Sequence, residues 1–284
     1  MTAICQPIRR AHSSVLLNVR SVRRAMTSYS KVLAPIAAGS CLKGQPELAQ
    51  RWITFLPAQN VYTSHMTEPT RERPRLYLIT PPQIDDVPAF VDLFKAAIAG
   101  GDMASLQIRL KDGDEIDMAA TRAVAQAVKP ICNVNNIALF INDSPQLARA
   151  LEADGVHLGA DDMDITEARK LVGEDMIIGA TCKNSRHQAL IAGEAGADYV
   201  AFGAFYPTDT KADTVQAEPE TLTWCQMFLT LPCVAIGGIT LGNAKPLLEA
   251  GADFLAVSSG VWGHKDGPAA AVAMFNRVID EVEL

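Results

Sequence analysis

The chain is 284 residues long, with 49% hydrophobic and 20% charged residues. That composition can bury a sizeable core and excludes a chain that stays disordered. No apolar run approaches the ~18 residues that span a bilayer, and a net charge of −7 gives no electrostatic reason to expect nucleic acid as a partner.

The charge is uneven. Residues 1–65 hold eight Lys/Arg against the single acid Glu47, a sum of +7, so the remainder carries −14. This Arg- and Ser-rich opening has the composition of an organellar transit segment, or else translation really begins at Met66. Residues 1–65 are expected to be a poorly ordered, non-catalytic extension, and residues 66–284 the catalytic domain. The six cysteines (Cys5, Cys41, Cys132, Cys182, Cys225 and Cys233) form no C-x-x-C pair. They read as reduced core thiols of a cytoplasmic protein.

From Arg75 onward a unit recurs: a short apolar strand, then a helix that ends in a turn of small residues with Gly and Asp. RLYLIT (75–80) is the first strand. LQIRLKD (106–112) is the second, and it alternates: Leu106, Ile108 and Leu110 on one face, Gln107, Arg109 and Lys111 on the other. IALFIND (137–143), GVHLGA (155–160), MIIGAT (176–181), DYVAFGA (198–204), PCVAIGG (232–238) and DFLAVSSG (253–260) follow. Helices fit at 86–99, 115–129, 145–152, 164–172, 185–195, 219–229, 241–250 and 267–281. Continuous apolar strands alternating with helices indicate a parallel sheet covered on its outer face. Eight such units predict an α/β fold, a single-domain (β/α)8 TIM barrel. The competing doubly wound sheet lacks its G-x-G-x-x-G after the first strand.

Barrel active sites lie at the C-terminal mouth of the strands, and here the strand ends are polar. Gln107, Arg109 and Lys111 end the second strand, and Asn142-Asp143 the third. The fourth runs through His157 into Asp161, Asp162 and Asp164. Thr181 ends the fifth, Thr208, Thr210 and Lys211 follow the sixth, and Gly237-Gly238 and Ser258-Ser259 end the last two. Asp143 with Asp162, beside a basic cluster, is a candidate Mg²⁺ pair, because that ion takes a few carboxylates plus water and phosphate oxygens. A helix N-cap is the alternative for Asp162. The glycine and serine loops are candidates for a monophosphate cradle, and ordinary turn glycines are the alternative. His157, flanked by Val156 and Leu158, reads as a satisfied core histidine rather than a general base.

These segments resemble the thiamine phosphate synthase family. The motifs that carry the likeness are QIRLK (107–111), FINDSPQLA (140–148), DGVHLGADDM (154–163), DYVAFGAFYPTDTK (198–211), VAIGGIT (234–240) and GADFLAVSSGVW (251–262). The resemblance implies a Mg²⁺-dependent transferase that joins hydroxymethylpyrimidine diphosphate to a thiazole phosphate and releases thiamine phosphate and pyrophosphate. Its substrates are small molecules, and a homo-oligomer is left open. By matching position it implies Gln107 and Thr181 on the pyrimidine, with Arg109, Lys111, Asn142 and Lys211 on the diphosphate. Asp143 and Asp162 would take the metal. Thr208, Thr210, Gly238 and the backbone near Val257 and Ser258 would hold the thiazole phosphate.

The chain departs from the family pattern in three places. Ser144 stands where family members often carry Arg, Thr181 replaces a Ser and is followed by CKNSRHQ, and ADTVQAEPETL lacks a glycine after Lys211. A thiazole tautomerase-like paralogue and a non-catalytic phosphometabolite-binding barrel are the rival readings. Neither requires the Gln107/Arg109/Lys111 row together with two candidate metal carboxylates and Lys211.

Overall fold

A strand covered by helices on one side and packed on itself on the other needs two kinds of face, and the strands of this chain supply both. The computed structural model describes residues 71–112, 115–208 and 215–283. The extension expected at residues 1–65 lies outside the described residues. Eight strands run parallel: β1 (Arg75–Ile79), β2 (Ser105–Ile108), β5 (Ala138–Asn142), β6 (Gly155–Leu158), β7 (Ile177–Lys183), β8 (Tyr199–Phe202), β9 (Cys233–Ile236) and β10 (Phe254–Val257). They close in the order β1-β10-β9-β8-β7-β6-β5-β2. The expected (β/α)8 barrel is the fold, and closure leaves no strand edge bare among these eight.

Leu76, Leu78, Leu106, Ile108, Leu139, Ile141, Val156 and Val200 belong to one buried apolar cluster with helix residues such as Phe94, Val124 and Phe275. Their strand neighbours point the other way, into the barrel. There Tyr77, Phe140 and Tyr199 pack on one another with ring centroids 5.6, 5.8 and 6.1 Å apart. Two glycines make the room. A Cβ on Gly155 would stand 2.3 Å from the Phe140 ring, and one on Gly179 would stand 1.9 Å from the Tyr199 ring.

The helices are α1 (Val87–Ala99), α2 (Met118–Asn135), α3 (Pro145–Ala150), α4 (Ile165–Val172), α5 (Arg186–Glu194), α6 (Glu220–Phe228), α7 (Ala244–Glu249), α8 (Ser259–Trp262) and α9 (Gly267–Asp280). Short polar side chains start five of them: Asp86, Asp117, Ser144, Asp164 and Ser185 each accept a first-turn N–H. α4 is therefore capped by Asp164, so the N-cap alternative for Asp162 does not hold. Ser144, one of the departures from the family pattern, caps α3 by accepting from the Leu147 N–H at 3.2 Å.

Most boundaries shift by a few residues from the sequence reading, and two of the shifts bear on the site. LQIRLKD is not one strand: β2 stops at Ile108, and Lys111–Asp112 (β3) pairs antiparallel with Glu115–Ile116 (β4). The break comes where the Arg109 N–H donates to the Thr80 hydroxyl at 3.0 Å instead of to a neighbouring strand. The following helix starts at Met118 and continues through Pro130 to Asn135 instead of ending at 129. A proline there removes one intrahelical bond, and packing of Val124, Val128 and Cys132 in the core holds the helix on both sides of it. The four described cysteines, Cys132, Cys182, Cys225 and Cys233, are free and buried, as core filler should be.

Candidate active site

At the C-terminal mouth, β2 and β5 bring Gln107 and Asn142 side by side. Both are buried, and the Gln107 Nε2 donates to the Asn142 Oδ1 at 2.5 Å. Burying two amides is unfavourable unless each finds a partner, and this pairing fixes both against the rim. Asp143 follows in the left-handed region at φ 62, a conformation that aspartate tolerates better than most residues. Its N–H donates to the His157 carbonyl at 2.8 Å. Its carboxylate accepts from the Lys111 ammonium at 2.9 Å. β3 thus carries Lys111 to Asp143 although the expected single strand is broken.

Asp162 closes this cluster from the loop after β6. Its Oδ2 accepts from the Gly159 N–H at 2.6 Å. A Cβ on Gly159 would lie 2.8 Å from that oxygen and 3.9 Å from Oδ1 of Asp143, so both carboxylates converge over this glycine. Burial, and then the hydrogen bond and charge of Asp143, push the Asp162 carboxyl up to about 6. A carboxylate raised in this way by a neighbouring one is relieved by a cation between them. Two oxygen donors with room left for water and phosphate oxygens fit Mg²⁺. Among the described residues no group of three or more His, Cys, Asp or Glu offers a richer metal site.

Arg109 is held through its backbone. The Thr80 hydroxyl accepts from the Arg109 N–H at 3.0 Å and lies 3.3 Å from its carbonyl. The Thr80 carbonyl in turn accepts from the Ser258 hydroxyl at 3.0 Å. Thr80 therefore ties the end of β1 to the arginine on one side and to the β10 loop on the other. The Ser258 hydroxyl proton is already engaged, so toward an anion this residue offers backbone rather than side chain.

The loop after β9 has its own fixed geometry. Gly237 and Gly238 have φ of 99 and 63. A Cβ on Gly238 would meet the Pro207 carbonyl at 2.4 Å and Tyr206 at 2.8 Å. Glycine is required here both by the backbone conformation and by the approach of the Tyr206-Pro207 segment. Asn243 donates to the Gly238 carbonyl at 2.9 Å and accepts from the Thr240 N–H at 2.7 Å, while the Tyr206 hydroxyl donates to the Asn243 carbonyl at 2.8 Å. Val257 ends β10 beside this loop, and Thr208 lies just beyond Pro207. Thr210 and Lys211 lie outside the described residues.

Thr181, near the end of β7, stands 2.9 Å from His157 Nε2, and His157 Nδ1 stands 2.9 Å from the Tyr199 hydroxyl. Both ring nitrogens are thus satisfied, in keeping with the core-histidine reading. Burial pulls the imidazole down to about 4; the Asp143 charge opposes this and the Arg109 charge assists it. Burial also raises Tyr77 and Tyr199, so both phenols keep their protons. Sequence reasoning missed Thr80, Tyr77 and Tyr199. For the two tyrosines the available signal was an inward position in a strand whose outward neighbours are aliphatic; Thr80 lies just past the end of β1.

A sequence model of the family described as thiamine monophosphate synthase matches residues 76–261. A thiamine-phosphate synthase from Hyphomonas neptunium is 59% identical over 220 residues, covering 76% of this chain and 100% of the relative. One from Rhodospirillum centenum is 55% identical over 205 residues, covering 72% and 97%. Among solved structures, thiamine phosphate pyrophosphorylase from Pyrococcus furiosus superposes with a TM-score of 0.63 at 31% identity, over 74% of this chain and 96% of that one.

Proposed function

The chain belongs to the thiamine monophosphate synthase family, a family of transferases, and from that premise we propose how its own residues carry out the reaction. The substrates are hydroxymethylpyrimidine diphosphate and the thiazole phosphate; the products are thiamine phosphate and pyrophosphate. The bond between the pyrimidine methylene carbon and the diphosphate oxygen breaks, and its electron pair leaves on the diphosphate. The thiazole nitrogen lone pair forms the new carbon–nitrogen bond. Positive charge develops on the pyrimidine methylene and negative charge on the departing oxygen, so fixed cations at the leaving group are the main requirement.

The residues divide accordingly. Arg109, Lys111, Asn142 and Lys211 hold the diphosphate. Asp143 and Asp162 would hold Mg²⁺, which when bound neutralises phosphate oxygen charge. Gln107 and Thr181 orient the pyrimidine. Thr208, Thr210, Gly238 and the backbone near Val257 and Ser258 hold the thiazole phosphate. β2, β5 and β6 are neighbours in the barrel, and β8, β9 and β10 form the facing side. Apart from Lys211, which follows β8, the groups proposed for the diphosphate and for the thiazole phosphate thus come from opposite sides of the mouth, an arrangement that would hold the reacting atoms between them and lower the entropic barrier.

The observation that carries this reading is the contact of Lys111 with Asp143 beside Asp162, next to the buried Gln107–Asn142 pair. A tautomerase or a simple phosphate binder has no use for it. No described helix is long and apolar enough to cross a membrane, and we place the reaction in the cytoplasm, carried wholly by residues 66–284. The test is pyrophosphate release with both substrates, in Mg²⁺ and then in EDTA. Release that needs both substrates and the metal is expected. No release, with the thiazole phosphate still bound, would overturn the synthase reading in favour of the tautomerase-like or binding one.

A further inference from the structure

A line of four hydrogen-bonding groups crosses the barrel interior to the mouth. The Tyr77 and Tyr199 hydroxyls are 2.9 Å apart, the Tyr199 hydroxyl is 2.9 Å from His157 Nδ1, and His157 Nε2 is 2.9 Å from the Thr181 hydroxyl. Tyr77, Tyr199 and His157 are buried, while Thr181 is half-buried at the mouth end. Three links join these four groups. Three hydroxyls and one neutral imidazole carry four protons. One proton is therefore left over, and its position decides what Thr181 shows the substrate.

If the imidazole proton sits on Nδ1, Thr181 must donate inward to Nε2. The leftover proton is then that of Tyr199 or Tyr77, deep in the barrel, where no described residue provides an acceptor for it. If the imidazole proton sits on Nε2, every link runs outward: Tyr77 to Tyr199, Tyr199 to Nδ1, Nε2 to Thr181. The leftover proton is then that of Thr181, which faces the mouth and meets water or substrate. A buried unmatched donor disfavours the first arrangement by about tenfold to a hundredfold.

We propose that Tyr199 and His157 are positioning residues that fix the Thr181 hydroxyl as a hydrogen-bond donor, so that the site selects a pyrimidine presenting a ring nitrogen acceptor at that point. Across the mouth, Gln107 gives one of its two Nε2 N–H groups to Asn142, which keeps Oε1 and the second N–H for the ring. The polarity of the Thr181 reader is thus set from behind, while Gln107 can meet either kind of group on the ring. This rests on the synthase reading above, because the pyrimidine is what Thr181 is proposed to meet.

Two measurements test it. Nitrogen-15 NMR of the histidine-labelled full chain without substrate, with the His157 signals assigned by their loss in His157→Gln, reads the tautomer directly. A bare Nδ1 and a protonated Nε2 are expected; a protonated Nδ1 overturns the proposal. In kinetics, Tyr199→Phe keeps the ring and removes the hydroxyl that pins Nδ1. It should raise KM for the pyrimidine diphosphate about tenfold, leave KM for the thiazole phosphate unchanged, and add nothing in a Thr181→Val background. Losses that multiply in the double variant, or a Tyr199→Phe protein with unchanged KM for both substrates, overturn it. A wild-type chain that does not couple the two substrates refutes the synthase reading, and the tautomer still decides the donor assignment.

Discussion

Replacing Gly238 by alanine tests the phosphate side of the site with the smallest available change. The added Cβ would stand 2.4 Å from the Pro207 carbonyl oxygen, whereas ordinary contact begins at 3.4 Å. The difference, 3.4 − 2.4, is about 1 Å, and the oxygen is backbone, so the loop itself must move by that amount. Alanine at a left-handed φ adds roughly 1–2 kcal/mol, which a barrel of this size should survive. A displacement of about 1 Å stretches a ~2.9 Å hydrogen bond to phosphate beyond useful range. Losing one or two such charge-assisted bonds, at about 1.5–3 kcal/mol each, corresponds to at least a tenfold loss. Steady-state kinetics with each substrate varied in turn should show KM for the thiazole phosphate rising tenfold or more, with KM for the pyrimidine diphosphate within about twofold of wild type. Thermal melting should show a folded protein. A folded Gly238→Ala protein with an unchanged thiazole phosphate KM would refute the assignment of this loop, and a selective rise in the other KM would place the two anions the wrong way round.

Arg109→Ala and Lys211→Ala should each lower turnover by about a hundredfold or more while melting like wild type, since each removes a fixed cation from the leaving group; retained activity in both would end the diphosphate assignment. The Asp162 carboxyl, raised to about 6 by burial and Asp143, makes protons competitors of Mg²⁺. Below that pH the carboxyl is protonated and the metal must displace the proton, so at limiting Mg²⁺ pyrophosphate release should fall as pH drops through about 6 and recover when Mg²⁺ is raised. Equal loss at limiting and saturating Mg²⁺ would count against it. Removal of residues 1–65 should leave turnover unchanged, measured on a chain beginning at Met66; a large loss would mean the extension belongs to the working enzyme.

The barrel was legible in the sequence because its two requirements are both local. Parallel strands buried by helices are nearly continuous aliphatic runs, as at Ile137–Ile141, and the helices end in Gly-containing turns such as Glu194–Ala197. The cluster proposed for the diphosphate was visible for the same reason: Gln107, Arg109 and Lys111 come from one short segment, and Asn142-Asp143 from another. The outline of LQIRLKD was misjudged because its alternation survives the end of the strand. Leu110 is still buried after the chain has left the sheet, and the cause of the departure, the Thr80 hydroxyl, lies 29 residues away. The relay behind Thr181 was not legible at all. Tyr77 and Tyr199 are 122 residues apart and His157 and Tyr199 are 42 apart, and only barrel closure makes them neighbours. A tyrosine in an apolar strand carries no mark that its hydroxyl will find a partner across the axis.

The rings of Tyr77, Phe140 and Tyr199, seated over Gly155 and Gly179, also bear on traffic. They fill the barrel interior beneath the mouth. On the proposed reading, both reactants and both products would pass through that mouth. Pyrophosphate left on the proposed β2–β5–β6 side would block the seat that the next pyrimidine diphosphate needs. Its inhibition should be competitive with that substrate, and the cycle can turn no faster than the mouth empties.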